Sequence, residues 1–388
     1  MMEEVRLDDL IILQRGFDIS EKEQITGIVP VISSGGTLSF HNEFKVKGPG
    51  VVIGRKGTLG KVYYTAEDYW PHSTSLWVKN FKGNDPKFIY YLLQVLHFEK
   101  FDAGAANPTL NRNHIHPLKL KVVKKEFRSK IVSILSAYDE LIQNNKQRIR
   151  LLEEMAEEIY KEWFVRMRFP GHETAKFVDG LPEGWEKKKV EDVFKTSSGG
   201  TPSREKESDY YGGDIDWIKT GELKDTFVFD SDEKITDVGL KNSSAKMFPA
   251  NTLLMAMYGV NIGQLGISVK PASANQAVCV FNPLKPEKYS LYYSFFFFKS
   301  IRFHLFNISM GAAQQNLSQD LIKKINYLSP CSYIIIKYDL MVKPFFEEIQ
   351  ILQQKNQLLQ QTRDLLLPRL ISGKLSVEHL VEEAIPKG

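Results

Sequence analysis

Two glycine-containing loops carry side chains suited to contacts with a nucleic acid. One spans residues 54–60 and the other residues 257–264. The first offers basic and hydroxyl groups, which suit phosphates or a guanine edge, and the second offers a ring and amides, which suit stacking and base edges. The candidate contacts are Arg55, Lys56 and Thr58 in the first loop and Tyr258, Asn261 and Gln264 in the second. A solvated hairpin turn is the alternative for both loops.

Amide-rich segments form a second group of candidates. Residues 104–110 and 311–317 are similar in sequence, and each segment follows an aromatic-rich helical stretch that opens with a proline. Amides pair bidentately with adenine in the major groove, whereas helix C-capping is the alternative use. The candidates here are Asn107, Thr109, Asn111, Arg112, Gln314, Gln315 and Asn316.

Further polar residues complete the set of candidate contacts. His72-Ser73-Thr74 and Asn275-Gln276 each precede an apolar strand, at corresponding places in the two halves of the chain. The remaining candidates are Thr37, Thr201, Ser203, Arg204 and Lys219. All of these side chains can donate or accept hydrogen bonds, so we predict that the set contacts a ligand.

Segments that resemble catalytic motifs lack essential residues. Residues 54–61 resemble a phosphate-binding loop, but the glycines are one residue too far apart and Val62 replaces the required Ser or Thr. Asn107-Pro108-Thr109-Leu110 lacks the second proline and the aromatic residue of an adenine methyltransferase motif. No histidine pair has metal-binding spacing on a helix. These segments therefore predict no phosphate-binding loop, no methyltransferase motif and no metal site.

The candidate residues belong to two copies of one sequence pattern. Leu7-Asp8-Asp9-Leu10 resembles Val190-Glu191-Asp192-Val193, and this pair, the loops and the amide-rich segments follow one order in both halves. Extra residues in the second copy fall mainly between positions 200 and 250, in a polar region where loop lengthening costs little. Each copy is therefore predicted to be one domain of mixed strands and a helix.

A long helix is predicted after each copy. Apolar residues recur alternately three and four positions apart from Leu135 to Trp163, and again from Val342 to Leu370. Such steps average the coiled-coil period, and a helix of about 40 residues spans about 60 Å. We expect the first helix over residues 126–165. Because proline is tolerated in a first turn, Pro344 predicts that the second helix begins close to it.

Each predicted helix has a polar residue at the middle of its apolar seam. Asn145 and Asn356 would meet if the helices packed antiparallel with their midpoints opposed. A polar pair in a seam costs stability but fixes the register, so we expect this contact. Exposure of both asparagines to water is the alternative.

The composition is that of a globular protein with two domains. The 388 residues are 43% hydrophobic and 25% charged, and the net charge of +4 permits a polyanionic partner without requiring one. The acidic start with no apolar run predicts no signal or transit peptide, so a cytoplasmic location is expected. Residues 289–306 are interrupted by charges and predict a buried helix, with no contact with a membrane. Cys279 and Cys331 are expected to be small buried hydrophobes.

The two ends of the chain continue the repeated pattern. Leu181-Pro182-Glu183-Gly184-Trp185 follows the first helix, and the similar Ile385-Pro386-Lys387-Gly388 follows the second. Joining Gly388 to Met1 would continue the motif at nearly the same spacing. We therefore expect neighbouring termini, a circular pseudo-twofold organisation and a last segment that completes the first domain.

Four segments carry a family resemblance. They are Trp163-Phe164-Val165-Arg166-Met167-Arg168-Phe169-Pro170-Gly171, Leu181-Pro182-Glu183-Gly184-Trp185-Glu186, Ser198-Gly199-Gly200-Thr201-Pro202-Ser203 and Leu366-Leu367-Pro368-Arg369-Leu370-Ile371-Ser372-Gly373. In this order, around a duplicated domain with two long helices, the whole chain resembles the specificity subunit of Type I restriction-modification enzymes. The first copy departs from the pattern, with Ser33-Ser34-Gly35-Gly36-Thr37 and no insertion.

The resemblance implies an α+β fold, with two pseudo-repeated mixed α/β target recognition domains separated by two long antiparallel coiled-coil helices. The implied boundaries are residues 1–125 for the first recognition domain, 126–170 for the central helix, 171–333 for the second recognition domain, and 334–388 for the distal helix and a tail that packs on the first domain. Each domain would read one half of a bipartite, asymmetric site in double-stranded DNA. The helices would set the spacing of the half-sites.

The resemblance also implies that catalysis belongs to partner subunits. Two modification subunits would methylate adenine with S-adenosylmethionine, and restriction subunits would carry out translocation and cleavage with ATP and Mg. The predicted docking residues are Met155, Trp163, Phe164 and Leu365, which exceed what a two-helix seam can bury. Two alternatives stay open: a duplicated coiled-coil adaptor without DNA specificity, and an anti-restriction or orphan subunit without partners.

Overall fold

The computed structural model describes residues 2–101, 109–310 and 316–378. The chain divides into two compact units: the first comprises residues 1–144 with 355–388, and the second residues 145–354. The predicted contacts Asn107, Gln314 and Gln315 lie outside the described residues, and so do Met1 and Gly388, whose proximity we expected. The domain boundaries given above stay a prediction.

Among the described residues, the first unit has nine strands, three short α-helices and one part of each long helix. Its strands are β1 (Met2–Arg6), β2 (Ile12–Arg15), β3 (Val29–Ser33), β4 (Gly36–His41), β5 (Gly50–Gly54), β6 (Val62–Thr65), β7 (Trp70–Pro71), β8 (Ser75–Asn80) and β9 (Lys119–Val123). Its helices are α1 (Leu7–Leu10), α2 (Pro86–Gln94), α3 (Arg112–Ile115), the start of α4 (Lys125–Tyr160) and the end of α11 (Ser332–Ile371). The sheets have the orders β2-β8-β5-β6, β4-β3-β7 and β1-β9.

Strand β5 shows why this unit is layered. Val51 and Ile53 contribute to one apolar cluster, which also contains Phe88 and Ile89 of α2. Val52 contributes to a separate cluster with Trp77 on the other face. Successive side chains of a strand point to opposite faces, so a strand covered on both faces is apolar at every position. The buried centre of this sheet fixes where the loop after Gly54 begins.

The second unit repeats these elements and adds others. Its strands are β10 (Phe177–Val178), β11 (Leu181–Pro182), β12 (Glu186–Lys189), β13 (Phe194–Ser198), β14 (Tyr211–Ile218), β15 (Thr226–Val228), β16 (Lys234–Ile235), β17 (Leu253–Ala256), β18 (Leu265–Ser268), β19 (Ser273–Ala274), β20 (Val278–Pro283) and β21 (Asn326–Ser329). Its helices, besides the end of α4, are α5 (Val190–Val193), α6 (Glu207–Tyr210), α7 (Asp237–Lys241), α8 (Leu291–Ser300), α9 (Arg302–Met310), α10 (Gln319–Lys323) and the first part of α11 (Ser332–Ile371).

Strand order confirms the internal repeat. The order β13-β20-β17-β18 in the second unit matches β2-β8-β5-β6 in the first, and β16-β14-β19 matches β4-β3-β7. In both units the short last strand of the smaller sheet is parallel to the middle one. The second unit adds β15, which pairs parallel with β18 and lies in the region where the sequence predicted extra residues.

The first long helix agrees with the prediction. Helix α4 continues into a π-helical turn, Lys161–Val165, so helical structure covers the predicted range of 126–165. Within the second unit the two helices are antiparallel, because Arg148 pairs with Glu348 at 2.7 Å while the later Trp163 lies 5.9 Å, centroid to centroid, from the earlier Tyr338. Asn145 and Asn356 are 8% and 7% exposed, which contradicts the alternative that both face water.

The predicted start of the second long helix was wrong. Helix α11 begins at Ser332, and Pro344 lies in its interior with an exposed side chain. An interior proline costs about 3 kcal/mol because it removes one hydrogen bond and crowds the preceding turn. Ile334, Tyr338 and Val342 are buried in the core of the second unit, and their burial offsets this cost.

Residues 289–306, predicted to form one buried helix, fall largely in two short helices. Helix α8 ends at Ser300 and α9 begins at Arg302, and Phe295 to Phe298 are buried in the core.

Within the described ranges, no helix is both long and apolar enough to cross a membrane. Cys279 is buried as expected, whereas Cys331 is only half-buried.

Candidate nucleic-acid interface

The first loop is a tight turn that leaves β5 and returns to β6. Gly54 donates from its N–H to the carbonyl of Lys61 at 2.8 Å, and Gly60 donates to the carbonyl of Gly54 at 3.0 Å. A Cβ at Gly54 would lie 1.9 Å from the Thr58 carbonyl oxygen, so this close approach requires glycine. Between these closing bonds, the side chains of Lys56 and Thr58 are exposed.

Two other segments hold this loop from outside. The Thr74 carbonyl accepts hydrogen bonds from the N–H groups of Arg55 and Lys56, at 2.9 and 3.0 Å. On the other side, Leu110 donates to the Arg55 carbonyl at 2.9 Å, and Lys56 forms a β-bridge with Thr109. The fold therefore brings together three segments that the sequence singled out separately.

The polar side chains beside this loop are partly engaged with one another. His72 Nδ1 and the Thr74 hydroxyl lie 2.9 Å apart, and a hydrogen bond from Ser73 lowers the pKa of Asp18. Partial burial lowers the pKa of Arg55, and the positive charge of Arg15 acts in the same direction. The negative charge of Asp18, which pairs with Arg15 at 3.1 Å, acts in the opposite direction, so charges of both signs surround Arg55.

The second loop has the same backbone supports at matching positions. Met257 donates to the Ala277 carbonyl at 2.8 Å, Leu317 donates to the Met257 carbonyl at 2.9 Å, and Tyr258 forms a β-bridge with Asn316. Tyr258 therefore takes the place of Lys56, and Asn316 takes the place of Thr109. The two units present unlike side chains on one loop architecture.

The tip of the second loop presents an apolar residue that sequence reasoning missed. Val260 is 99% exposed, in a 3-10 turn between Gly259 and Asn261, and its neighbour Tyr258 is 38% exposed. Asn261 donates from Nδ2 to the Thr220 carbonyl at 3.4 Å, and Gln264 is half-buried. The sequence did contain a signal for Val260, namely an apolar side chain directly after the loop glycine Gly259. Such a side chain can contact the methyl group that thymine offers in the major groove.

The glycine pair Gly199-Gly200 lies against the segment that carries Asn275 and Gln276. A Cβ at Gly199 would lie 2.0 Å from the Ala274 carbonyl oxygen, so this loop packs directly on the segment that carries Asn275 and Gln276. The hydroxyl of Thr201 donates to the side-chain oxygen of Gln276. Thr201 and Gln276, chosen separately from the sequence, are therefore in contact.

A single glycine takes the place of this pair in the first unit. Gly16, not the segment of residues 33–37, packs on the equivalent strand end, since its Cβ would lie 2.2 Å from the His72 carbonyl oxygen. Thr37 lies on β4 opposite Ile32, with an exposed side chain. The close contact needs one glycine only, so a glycine dipeptide in the sequence does not identify it.

Two predicted basic contacts are paired with a carboxylate. Glu233 accepts from Arg204 at 2.7 Å and from Lys219 at 3.1 Å. The Arg204 guanidinium lowers the pKa of Glu233 to about 2, and it also stacks 3.9 Å from the Tyr211 ring centroid. Both cations therefore have internal partners, which argues against their use as phosphate contacts.

Two other candidates serve as helix caps. Asn111 accepts from the Asn113 N–H at 3.0 Å at the start of α3, and Ser203 accepts from the Glu205 N–H at 3.3 Å. These are N-terminal caps, whereas the alternative weighed for the amides was C-capping. Arg112 remains exposed in the first turn of α3.

Two of the predicted docking residues are buried, and their assignment was wrong. Trp163 and Phe164 are 7% and 3% exposed in the core of the second unit, packed on Tyr338 and on Tyr293. The π-helical turn directs both rings inward, so neither can dock a partner. Met155 and Leu365 are 50% and 68% exposed.

The chain matches known proteins over most of its length. The model of the Type I restriction modification DNA specificity domain matches residues 1–154 and 182–331. The chain is 25% identical over 347 residues to the MjaIX specificity subunit of a Type I restriction enzyme from Methanocaldococcus jannaschii, covering 84% of this chain and 79% of that protein. It is also 25% identical over 357 residues to the HindI specificity subunit from Haemophilus influenzae, covering 75% and 77%.

A solved structure supports the fold. The crystal structure of a Type I restriction-modification S subunit from M. genitalium superimposes with a TM-score of 0.62 at 16% identity, covering 96% of each chain. At that identity the likeness concerns the fold alone. Because the domain model matches well over half of the residues, in two copies, the chain belongs to the Type I restriction modification DNA specificity family and is a non-catalytic sequence-specificity subunit.

Proposed function

We propose that each unit reads one half of a bipartite DNA site through its loop and the segments bound to it. The observation that carries this proposal is the pair of equivalent bridges, Lys56 to Thr109 and Tyr258 to Asn316. A shared backbone presents a cation in one unit and an aromatic ring in the other. Unlike side chains on like scaffolds favour two different half-sites, so the full site is asymmetric.

The first unit is suited to charged contacts. Lys56 is exposed beside the partly buried Arg55, and both can reach a phosphate or the O6 and N7 atoms of guanine. The second unit offers the Tyr258 ring, the Val260 side chain and amides, which suit stacking, a thymine methyl group and adenine. We therefore assign a larger share of the electrostatic affinity to the first unit.

The two long helices are the proposed spacer, in a circular pseudo-twofold arrangement. Helix α4 has 36 residues and α11 has 40. At about 1.5 Å per residue, helices of this length span about 55–60 Å, which is sufficient to separate two half-sites along a duplex.

The exposed faces of the helices are the proposed docking surface for partner subunits. In the second unit Leu340 is 73% exposed, and Ile336, one turn earlier, is 59% exposed. Met155 and Leu365 also belong to this surface, and Trp163 and Phe164 do not. Two methyltransferase subunits with S-adenosylmethionine, and restriction subunits with ATP and Mg, are the proposed partners, in the cytoplasm. No cofactor is assigned to this chain.

Methylome sequencing tests the proposed function. A host that expresses this chain with its methyltransferase partners should carry adenine methylation at one bipartite, non-palindromic sequence. Substitution Tyr258→Ala should relax only one half of that sequence, whereas Lys56→Ala, which removes a phosphate contact, should lower methylation of the whole site without changing either half. Unchanged methylation with both variants would contradict the assignment of the loops. A duplex affinity that does not fall with rising salt concentration would favour the alternative of a protein adaptor.

A further inference from the structure

One ion pair in the second unit is bound to the backbone of the reading loop. Arg302, at the start of α9, forms two hydrogen bonds with Asp225, one of them from Nη1 to Oδ2 at 2.8 Å. Arg302 also donates from Nε to the carbonyl of Gly263 at 2.9 Å. Because Gly263 closes the loop, the guanidinium connects the loop to both Asp225 and α9.

Asp225 also binds the backbone of Leu265, two residues after Gly263. Its Oδ1 accepts from the Leu265 N–H at 2.9 Å, and its own N–H donates to the Leu265 carbonyl at 2.8 Å. The pair therefore contacts the chain at Gly263 and at Leu265, directly after the exposed tip. A bidentate arginine–carboxylate pair has a defined geometry, so it restricts where the loop can lie.

The backbone at Asp225 shows that this position is maintained despite strain. Its φ is +58°, in the left-handed region that non-glycine residues rarely adopt. Aspartate tolerates that region better than most residues, but the surrounding contacts must still favour it. Here the two hydrogen bonds to Leu265 and the pair with Arg302 supply those contacts.

The ion pair belongs to the structure that the second unit adds to the repeat. Asp225 directly precedes β15, the fifth strand of the larger sheet. In the first unit, the described residues form a four-stranded sheet that ends at β6, the counterpart of β18. The added strand thus brings a support to the second loop at a place where the first sheet has its edge.

We propose that Asp225 and Arg302 are positioning residues that fix the second reading loop, so that discrimination by this unit depends on two residues that do not contact DNA. This inference rests on the proposed function of the loop. Ordering a loop on binding costs free energy, and a loop held in advance avoids that cost. A correct base is also distinguished from an incorrect one only if the contacting groups are held in place.

Competition binding with the full chain assembled with its methyltransferase partners tests this inference. Duplexes with single base-pair changes in each half-site are compared for the wild type and for Arg302→Met. Each mismatch ordinarily costs about fivefold or more in affinity. We expect Arg302→Met to remove at least about fivefold of that discrimination in the half-site of the second unit. Discrimination in the other half-site should be unchanged.

Two further readouts separate positioning from general destabilisation. The slope of affinity against salt should be unchanged, because neither residue neutralises a phosphate. Arg302→Lys should restore discrimination only in part, since lysine keeps the charge but cannot form the bidentate pair. Asp225→Asn combined with Arg302→Met should be no worse than Arg302→Met alone, as expected for residues that act together.

A neighbouring ion pair provides the matched control. Lys299 contacts Glu157 at 2.6 Å with both side chains 31% exposed, close to the 31% and 25% of Arg302 and Asp225. Lys299→Met should leave both half-sites fully discriminated, and an equal loss with this variant would overturn the proposal. If Tyr258→Ala relaxes the half-site but Arg302→Met does not, the positioning role fails alone. If neither does, the proposed role of the loop fails.

Discussion

The residues of the two loops differ in charge although their backbones match. Lys56 and Tyr258 occupy equivalent places, yet only the lysine can contribute to counterion release. Residue types in the sequence identified both loops as candidate contacts. They did not predict that Arg204 and Lys219 are paired with Glu233, because that carboxylate lies 14 or more residues away along the chain.

Substitution Lys56→Ala tests the electrostatic role of the first loop. We expect weaker DNA binding by all sequences, and a slope of log affinity against log salt that is smaller by about 1, because one phosphate contact is lost. The measurement is a salt titration of duplex binding by the complex. Lys79→Ala is the control, since this lysine is exposed near the far end of β8 from the loop. Equal changes with both variants would contradict a specific role for Lys56.

Asp339 predicts a pH-dependent stability in the second unit. Burial raises its pKa to about 6, although Ser290 donates a hydrogen bond to it. The folded protein therefore binds more protons than the unfolded chain between about pH 4 and pH 6, so stability falls as the pH rises through this window. Above about pH 6 this loss of stability is complete.

Substitution Asp339→Asn should remove this loss. We expect the variant to be more stable than the wild type by roughly 1–3 kcal/mol at pH 7 and equally stable below about pH 4. Denaturant unfolding at several pH values measures the difference. Asp320→Asn, at an exposed aspartate of the same unit, should change stability by less than about 0.5 kcal/mol. A constant difference across the pH range would show that Asp339 does not titrate in this window.

At the scale of elements, helix α11 shows how packing overrides a local signal. The sequence predicted a helix start near Pro344, but the helix begins 12 residues earlier, at Ser332. Proline is a strong local signal, whereas the burial of Ile334 and Tyr338 depends on a core assembled from distant parts of the chain. Periodicity alone had predicted α4 correctly, since its range lacks an interior proline or glycine.

Substitution Pro344→Ala tests the cost of this proline. We expect the free energy of unfolding to rise by about 1–3 kcal/mol, because alanine restores an interior hydrogen bond. Denaturant unfolding of the full chain measures the gain. Lys343→Ala, at the exposed preceding position, is the control and should change stability by less than about 0.5 kcal/mol. An unchanged midpoint for Pro344→Ala would contradict the stated cost.

At the scale of the whole molecule, the repeat is the main organising feature. Strand orders match between the units, and β15 accounts for part of the additional length of the second copy. The proposed spacer makes a prediction at this scale. Removing seven residues from each long helix keeps the heptad register and shortens each helix by about 10 Å.

Such a deletion should shorten the gap between the half-sites by about three base pairs, at about 3.4 Å per pair. Methylome sequencing would show the change, and both half-site sequences should stay the same. Deleting seven residues from α4 alone is the control, since unequal helices cannot keep matching lengths and activity should be lost. A shortened pair of helices with an unchanged gap would contradict the spacer.

The sequence by itself determined the repeat, the presence of two long helices, the family and the two loops, because each depends on residues close together in the chain or on their period. Only the tertiary structure decided which candidates act together. It joined Thr201 to Gln276, buried Trp163 and Phe164, paired Arg204 with Glu233, and bound the second loop to Asp225 and Arg302. These outcomes depend on contacts between distant segments, whose partners are set by the packing of the core and leave no periodic signal in the sequence.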